Sequence, residues 1–498
     1  MDVVDDTIPY WPFDKQNIMK KILGYLDYEC LRHAEDVCLS WKKIIADEKL
    51  WEKLFQRNLE QIPDWGKMEQ VLRLRNSAIF LLPFKDSFEY QKEVCCQIGD
   101  SIKKLKSNWI NGINTGTNYS FNTTPTKARA NKPIHFSMNQ RWIIRVSPNG
   151  RISTRNRWAP EEEHVAKLLP DKRIPIDDAE RHPIIESVQF NDELFAAVGV
   201  VGTRTIVFIF EVKEHEAESP LLKCVAWRKI EDTAATDHVY NFDSKNCIRL
   251  KGDLLLLCGR KIADQSTVVT LMNVKELRTI YKHKEVTSRV GQLTDFAVDD
   301  WCVVLLFGRK ETPRAPRMNR YMLQIRDAAS FEFLQSFVLP IIHSDVCRFD
   351  YSRRFVVTGS DDSRVRIWNV SEGTCDGDFQ HGCKTLSSLK IVADRLILTC
   401  DGGGIVKLWR LDAAMNPETR DDPSSVLLKT LDAPLPPYWT FRQIKCLAMQ
   451  ADEFQIALVL QYDTKSPTLY VMDFFAEDEM NENGCTTKKR RNRKRRLV

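Results

Sequence analysis

His343, Thr358 and Asp362 are the residue types of a nucleophilic relay. The imidazole would take a proton from the threonine hydroxyl while the carboxylate orients the ring. Their surroundings point elsewhere. Trp368 follows closely, and an indole N–H buried between strands needs an acceptor, which a Thr–His–Asp chain supplies. The same types recur as His381, Thr399 and Trp409, with the two tryptophans 41 residues apart and Gly403 where the acid would stand. Here the histidines and Asp362 flank strands in the register of the repeat. The structural reading of His343, Thr358, Asp362 and Trp368 is therefore preferred to the nucleophilic one.

Other reactive residues form no site. Of 14 cysteines the nearest two, Cys95 and Cys96, are adjacent and no Cys-x-x-Cys pair exists, so zinc and redox motifs lack their spacing. The histidines show no metal-binding pair at helical spacing. No phosphate-cradling loop, nucleophile elbow or paired-carboxylate signature appears. The glycine-rich CDGGG precedes VKLW as a strand-to-strand turn. The expectation is a non-enzymatic protein with no catalytic residues, no cofactor and no metal.

Charge is distributed unevenly. Lys488, Lys489, Arg490, Arg491, Arg493, Lys494, Arg495 and Arg496 form a terminal run; without these eight, 65 basic residues face 68 acidic ones, a balance of −3. A near-neutral body argues against nucleic-acid coating, so nucleic-acid contact is expected at most through the tail, which also suits a nuclear import signal. The first residues lack the order of a signal peptide and no apolar run is long enough to span a bilayer. The expected location is cytoplasm, nucleus or both, with no membrane partner.

The elements that position these residues fall into three regimes. From Pro12 to Trp109 the pattern is helical. Ile18, Ile22 and Leu26 fall four apart, and Leu31, Ala34, Val37, Cys38 and Trp41 predict the inner face of a second helix. Val94, Ile98, Ile102, Leu105 and Trp109 mark a long one. Residues 111–134 are polar, rich in Asn and Thr, and predict an unpacked crossing segment. From His135 onward, short apolar runs alternate with turns. RFVVTGSDDSRVRIWNV and RLILTCDGGGIVKLWRL are the clearest units, and five weaker copies bring the number to seven. Seven four-stranded units would close a ring and remove exposed edges.

The unit ending past Trp368 resembles the WD-repeat family, and the resemblance implies that His343, Thr358, Asp362 and Trp368 form that family's buried hydrogen-bonded tetrad, whose acid the second unit lacks. The segment WPFDKQNIMKKILGYLDYECLRHAEDVCLSWKKIIADEKLWEKLFQR resembles an F-box through Pro12, ILGYLD, Leu31, Val37, Cys38, Trp41, Leu50, Trp51 and Leu54. A helical unit this small buries little, yet it displays apolar residues on several faces. Ile22, Leu23, Leu26 and Leu31 are among those expected to need cover from another chain. The resemblance implies docking to a Skp-type adaptor of a cullin-RING ubiquitin ligase, through these residues together with Ile18.

EVCCQIGDSIKKLKSNWINGIN, WRLDAAMNPE and DEFQI are similar to segments of the beta-transducin repeat-containing F-box/WD proteins (β-TrCP). The resemblance implies an N-terminal helical F-box (7–55), a helical linker (56–110), the crossing segment (111–134), a seven-bladed WD-repeat propeller (135–478) and a basic tail (479–498). It implies a substrate-recognition subunit of a Skp–cullin–F-box ligase whose substrate is an unidentified protein; the alternative is a non-degradative scaffold. That family reads a doubly phosphorylated peptide with arginines. Here Ser388 falls where an arginine would be expected, and His343, which is either the tetrad histidine or the replacement of another, leaves no arginine at its place, which predicts a weakened phosphate reader. Arg145, Arg260, Arg348 and Lys445 are the remaining substrate-face candidates. The family's self-association region has no counterpart ahead of the F-box, so dimerisation is not implied.

Overall fold

The computed structural model describes residues 13–475, except 76–79, 81–86, 121–134, 147–151, 159–162, 166–183, 191–193, 202–203, 214–220, 230–239, 242–247, 262–266, 277, 286–290, 309–320, 342–345, 383–384, 420–421, 433–443 and 463–466. Pro12, His343 and the basic tail lie outside the described residues.

Six helices lead the described chain: α1 (Phe13–Tyr25), α2 (Tyr28–Val37), α3 (Leu39–Asp47), α4 (Leu50–Gln61), α5 (Pro63–Leu74) and α6 (Phe88–Asn111). Their starts follow local chemistry. The Asp27 carboxylate accepts from the Cys30 N–H at 2.8 Å, the Ser87 hydroxyl accepts from the Tyr90 N–H at 3.2 Å, and Pro63 opens α5. The apolar stripe of α6 is buried at Val94, Ile98, Ile102, Leu105 and Trp109, as its period predicts. The second helix departs from its prediction. Cys38 is extended (φ −164°) and splits it into α2 and α3, so the 3.6-residue phase restarts there. Leu31 and Ala34 are buried, Trp41 is half-buried, and Val37 and Cys38 face outward rather than inward. The predicted boundary between 55 and 56 falls inside α4.

Seven sheets follow. The first blade is β2 (His135–Met138), β3 (Trp142–Val146), β4 (Ile152–Asn156) and β5 (Glu163–Val165). The second is β6 (Ile184–Phe190), β7 (Leu194–Val201), β8 (Arg204–Lys213) and β9 (Leu221–Lys229). The third holds β10 (Tyr240–Asn241), β11 (Ile248–Lys251), β12 (Leu254–Lys261), β13 (Thr267–Asn273) and β14 (Arg278–Glu285). The fourth holds β15 (Gln292–Val298), β16 (Cys302–Gly308), β17 (Tyr321–Asp327) and β18 (Phe333–Leu339). The fifth is β19 (Val346–Ser352), β20 (Phe355–Ser360), β21 (Arg364–Asn369) and β22 (Cys375–Gln380). The sixth is β23 (Leu386–Val392), β24 (Leu396–Asp401), β25 (Val406–Arg410) and β26 (Leu427–Leu431). The last holds β27 (Ile444–Ala451), β28 (Gln455–Tyr462) and β29 (Thr468–Asp473), with β1 (Thr115–Ser120) as its outer strand.

The inner strands β2, β6, β11, β15, β19, β23 and β27 each touch the next, and β27 touches β2, so the ring is closed. Its closing strand corrects the expectation of an unpacked crossing segment for 115–120; 121–134 lie outside the described residues. TGTNYS pairs antiparallel with β29 from Thr115 opposite Asp473 to Ser120 opposite Thr468. A polar outer strand needs no apolar stripe, because its hydrogen bonds to β29 hold it. The propeller therefore begins at 115, ahead of the predicted 135.

Candidate docking sites

The helical unit divides its apolar residues between two tasks. Leu23, Leu31, Leu50, Trp51 and Leu54 are buried in its own core, with Leu26 and Trp41 packed against them. Leu23 and Leu31 were expected to need foreign cover; they face inward, because α1 and α2 close on α4 and α6. The free surface lies elsewhere. Ile18 and Ile22 (50%) are exposed on one side of α1 with Tyr25 (84%), and the α2–α3 corner exposes Val37 (60%), Cys38 and Leu39 (86%). Tyr25, although within ILGYLD, and Leu39 are not among the residues expected at the interface. Tyr25 continues the face of Ile18 and Ile22 at helical spacing, a signal that was available.

Internal polar bonds lock this unit to α6. Glu35 is buried and accepts from the Trp51 indole N–H at 2.7 Å, while Lys92 of α6 donates to its other oxygen. The Tyr28 ring lies over Gly99, where any Cβ would meet the ring carbons at 2.4–2.7 Å. Burial, with Asp100 beside it, pushes the Tyr28 phenol up to about 12. Arg57 of α4 donates to the Gly24 and Leu26 carbonyls at 2.8 and 2.9 Å, fixing the end of α1.

The far end of α6 is bolted to the last blade. Trp109 stacks on Phe474 (3.8 Å between centroids, planes 7° apart) and its indole donates to the Glu453 carbonyl at 2.7 Å. Asn108 donates to the Phe474 carbonyl at 2.8 Å and Arg75 to that of Phe475 at 2.6 Å. Lys67 pairs with Glu453, and Asp64 receives Arg395 of the sixth blade at 3.6 Å. One continuous core joins the helices to blades six and seven. Gly112 (φ +65°) ends α6, with the Ile113 N–H donating to the Asn108 carbonyl at 2.8 Å, and the chain enters the closing strand three residues later.

These contacts use the ends of the blades where the first strand turns into the second, such as Glu453 and Arg395. The four predicted basic residues belong to the opposite end: Arg145 near the end of β3, Arg260 near the end of β12, Arg348 and Lys445 near the starts of β19 and β27. They are not equivalent. Arg145 is buried and donates to the Ser153 hydroxyl at 3.2 Å, which removes it from an open surface. Arg348 is half-buried and donates to the Ser387 carbonyl of the next blade. Lys445 is exposed. The Arg260 side chain lies outside the described residues.

Part of the tetrad is in place. The Trp368 indole donates to the Thr358 hydroxyl at 2.9 Å, both fully buried. Asp362 accepts from the Arg364 N–H at 3.0 Å and from Arg366 at 2.6 Å. The next blade repeats the pair, Trp409 to Thr399 at 2.8 Å, and where its acid is missing Asp401 takes over the turn by accepting from the Gly403 and Ile405 N–H groups. His381 is buried there, and burial holds its imidazole below the usual range. Thr358 thus serves as an indole acceptor inside a blade. Among the described residues no group of His, Cys, Asp and Glu could hold a metal ion, and no helix is long and apolar enough to cross a membrane.

Comparison with known proteins bears on the first of these surfaces. Residues 16–57 match the F-box-like family model. The chain is 37% identical over 54 residues to F-box and WD repeat domain-containing 11-A of Danio rerio, a match covering 11% of this chain and about a tenth (10%) of that relative's length. An F-box-like segment followed by a seven-bladed propeller is the domain order of an F-box/WD protein.

Proposed function

We propose that this chain is the substrate-recognition subunit of a Skp–cullin–F-box ubiquitin ligase. The observation that supports this most is the exposed apolar set Ile18, Ile22, Tyr25, Val37 and Leu39 on an F-box-like unit rigidly joined to a propeller. Large apolar side chains in water mark a protein interface, and a Skp-type adaptor is the partner an F-box suggests. The chain supplies position and leaves chemistry to its partners. The adaptor holds the helical end, a client protein occupies the opposite end of the ring, and the fixed span raises the client's effective concentration at the conjugating enzyme.

The client end lacks open guanidiniums at Arg145 and Arg348, which favours a client other than the doubly phosphorylated peptide read by β-TrCP proteins. Each charge-assisted hydrogen bond contributes about 1.5–3 kcal/mol, so losing two weakens such a peptide roughly a hundredfold or more. A phosphatase-sensitive, submicromolar complex with a DSGxxS phosphopeptide would refute this part. The basic tail is assigned to nuclear import, giving a protein of cytoplasm and nucleus; deleting 488–498 should move it out of the nucleus.

The decisive experiment is capture of a Skp-type adaptor and cullin by the full chain, wild type against Ile18→Glu with Ile22→Glu. Both residues are exposed, so the fold should survive and adaptor binding should fall at least tenfold. Equal capture by both proteins would end the ligase reading.

A further inference from the structure

Every propeller blade has an outer strand with one unpaired edge, and natural sheets guard such edges with charge. Five of the seven outer strands carry charged residues in their sequence: β5 (EHV), β9 (LLKCVAWRK), β14 (RTIYKHKE), β22 (CDGDFQ) and β26 (LLKTL). The closing strand β1 (TGTNYS) is polar. β18 differs. It reads FLQSFVL, carries no charge, and exposes Phe333 (53%), Leu334 (50%) and Val338 (52%). Among the described residues only β17 pairs with it.

The strand cannot turn these side chains inward. The Gln335 amide donates to the Val370 carbonyl of the fifth blade, and the Phe337 ring packs against Gly373 of the same blade. A register shift against β17 leaves Leu334 without an opposite residue, which keeps Phe333 and Leu334 both outside. An apolar, uncharged, hydrogen-bonding edge fits another strand of the same character.

The strand is complementary to itself. A two-fold axis through Ser336 places Val338 of one copy opposite Leu334 of the other, with Phe333 at the end of the paired span and Ser336 against Ser336. The nearest charge, Glu332, falls just outside the paired span. Isologous contacts of this kind are the commonest route to homodimers. We propose that two copies of this chain associate by antiparallel pairing of β18 with β18, merging two fourth blades into one eight-stranded sheet. The pairing is independent of the F-box surface and of the client end.

Sedimentation velocity of the full chain, up to about 100 μM, a range that detects weak association, tests this directly. The wild type should dimerise with concentration. Val338→Lys and Leu334→Lys should each weaken the dimer at least tenfold with unchanged circular dichroism melting, since both positions face solvent. A register test accompanies it. In Ser336→Cys, glutathione disulfide should oxidise the two facing thiols to one intermolecular disulfide, releasing two glutathione thiols, and Glu372→Cys on the fifth blade should cross-link no more than wild type. A chain monomeric throughout, a dimer indifferent to Val338→Lys, or cross-linking at 336 no greater than at 372 overturns the proposal. So does an extended peptide that binds this edge while the chain stays monomeric.

Discussion

Glu35 illustrates how one side chain can hold an element pair. It is the buried acceptor of both the Trp51 indole and the Lys92 ammonium. Glu35→Ala would leave a buried donor and a half-buried charge without their acceptor, a loss of about 1–3 kcal/mol. Denaturant unfolding of the wild type and the variant should show it as a lower midpoint with unchanged slope. His381 makes a pH-dependent contribution. Its imidazole is held below its usual value by burial, with Lys407 acting in the same sense and Asp362 against it. The unfolded chain, titrating near pH ~6.5, therefore binds more protons as pH falls, so this contribution to stability is complete above that value and is lost below it. Melting curves from pH 8 to 5 should fall less steeply for His381→Gln than for wild type; parallel curves would remove His381 from the account.

At the scale of elements, α6 matters most. Its 24 residues run without a break from the F-box core to the last blade. On the proposed role as a ligase subunit, inserting a flexible loop near Ser101 should leave adaptor and client binding intact while reducing ubiquitin transfer several-fold in a reconstituted assay. Unchanged transfer would show that the span has no positional role. The buried stripe of this helix was legible because its period runs unbroken for four turns. The α2–α3 corner was not. One extended residue, Cys38, resets the phase, and composition carries no mark of that break. The reader of an unbroken stripe therefore assigns Val37 and Cys38 to a core that they in fact leave exposed.

For the whole molecule, ring closure and domain attachment are one structure. The chain leaves α6 through Gly112 and within three residues becomes the outer strand of the last blade. The helices therefore cannot swing on a tether. A truncated chain beginning at residue 135 should lack the closing strand, expose the edge of β29 and aggregate or melt well below one beginning at 112. Indistinguishable melting would mean that β1 adds nothing to closure.

Local pattern fixed the seven apolar strand pairs, the tryptophan–threonine bonds of blades five and six, and the stripe of α6, since each depends on short-range period or on the hydrogen bond a buried indole requires. The exposed set on α1 and at the α2–α3 corner, the capture of Arg145 and Arg348 by neighbouring strands, and the role of TGTNYS as an outer strand emerged from packing. Each depends on what a residue meets in the folded chain, from Ser153 in the adjoining strand for Arg145 and Ser387 of the next blade for Arg348 to Asp473, hundreds of positions away, for Thr115. Periodicity reports which side chains avoid water; it does not report which of them find cover within the same molecule.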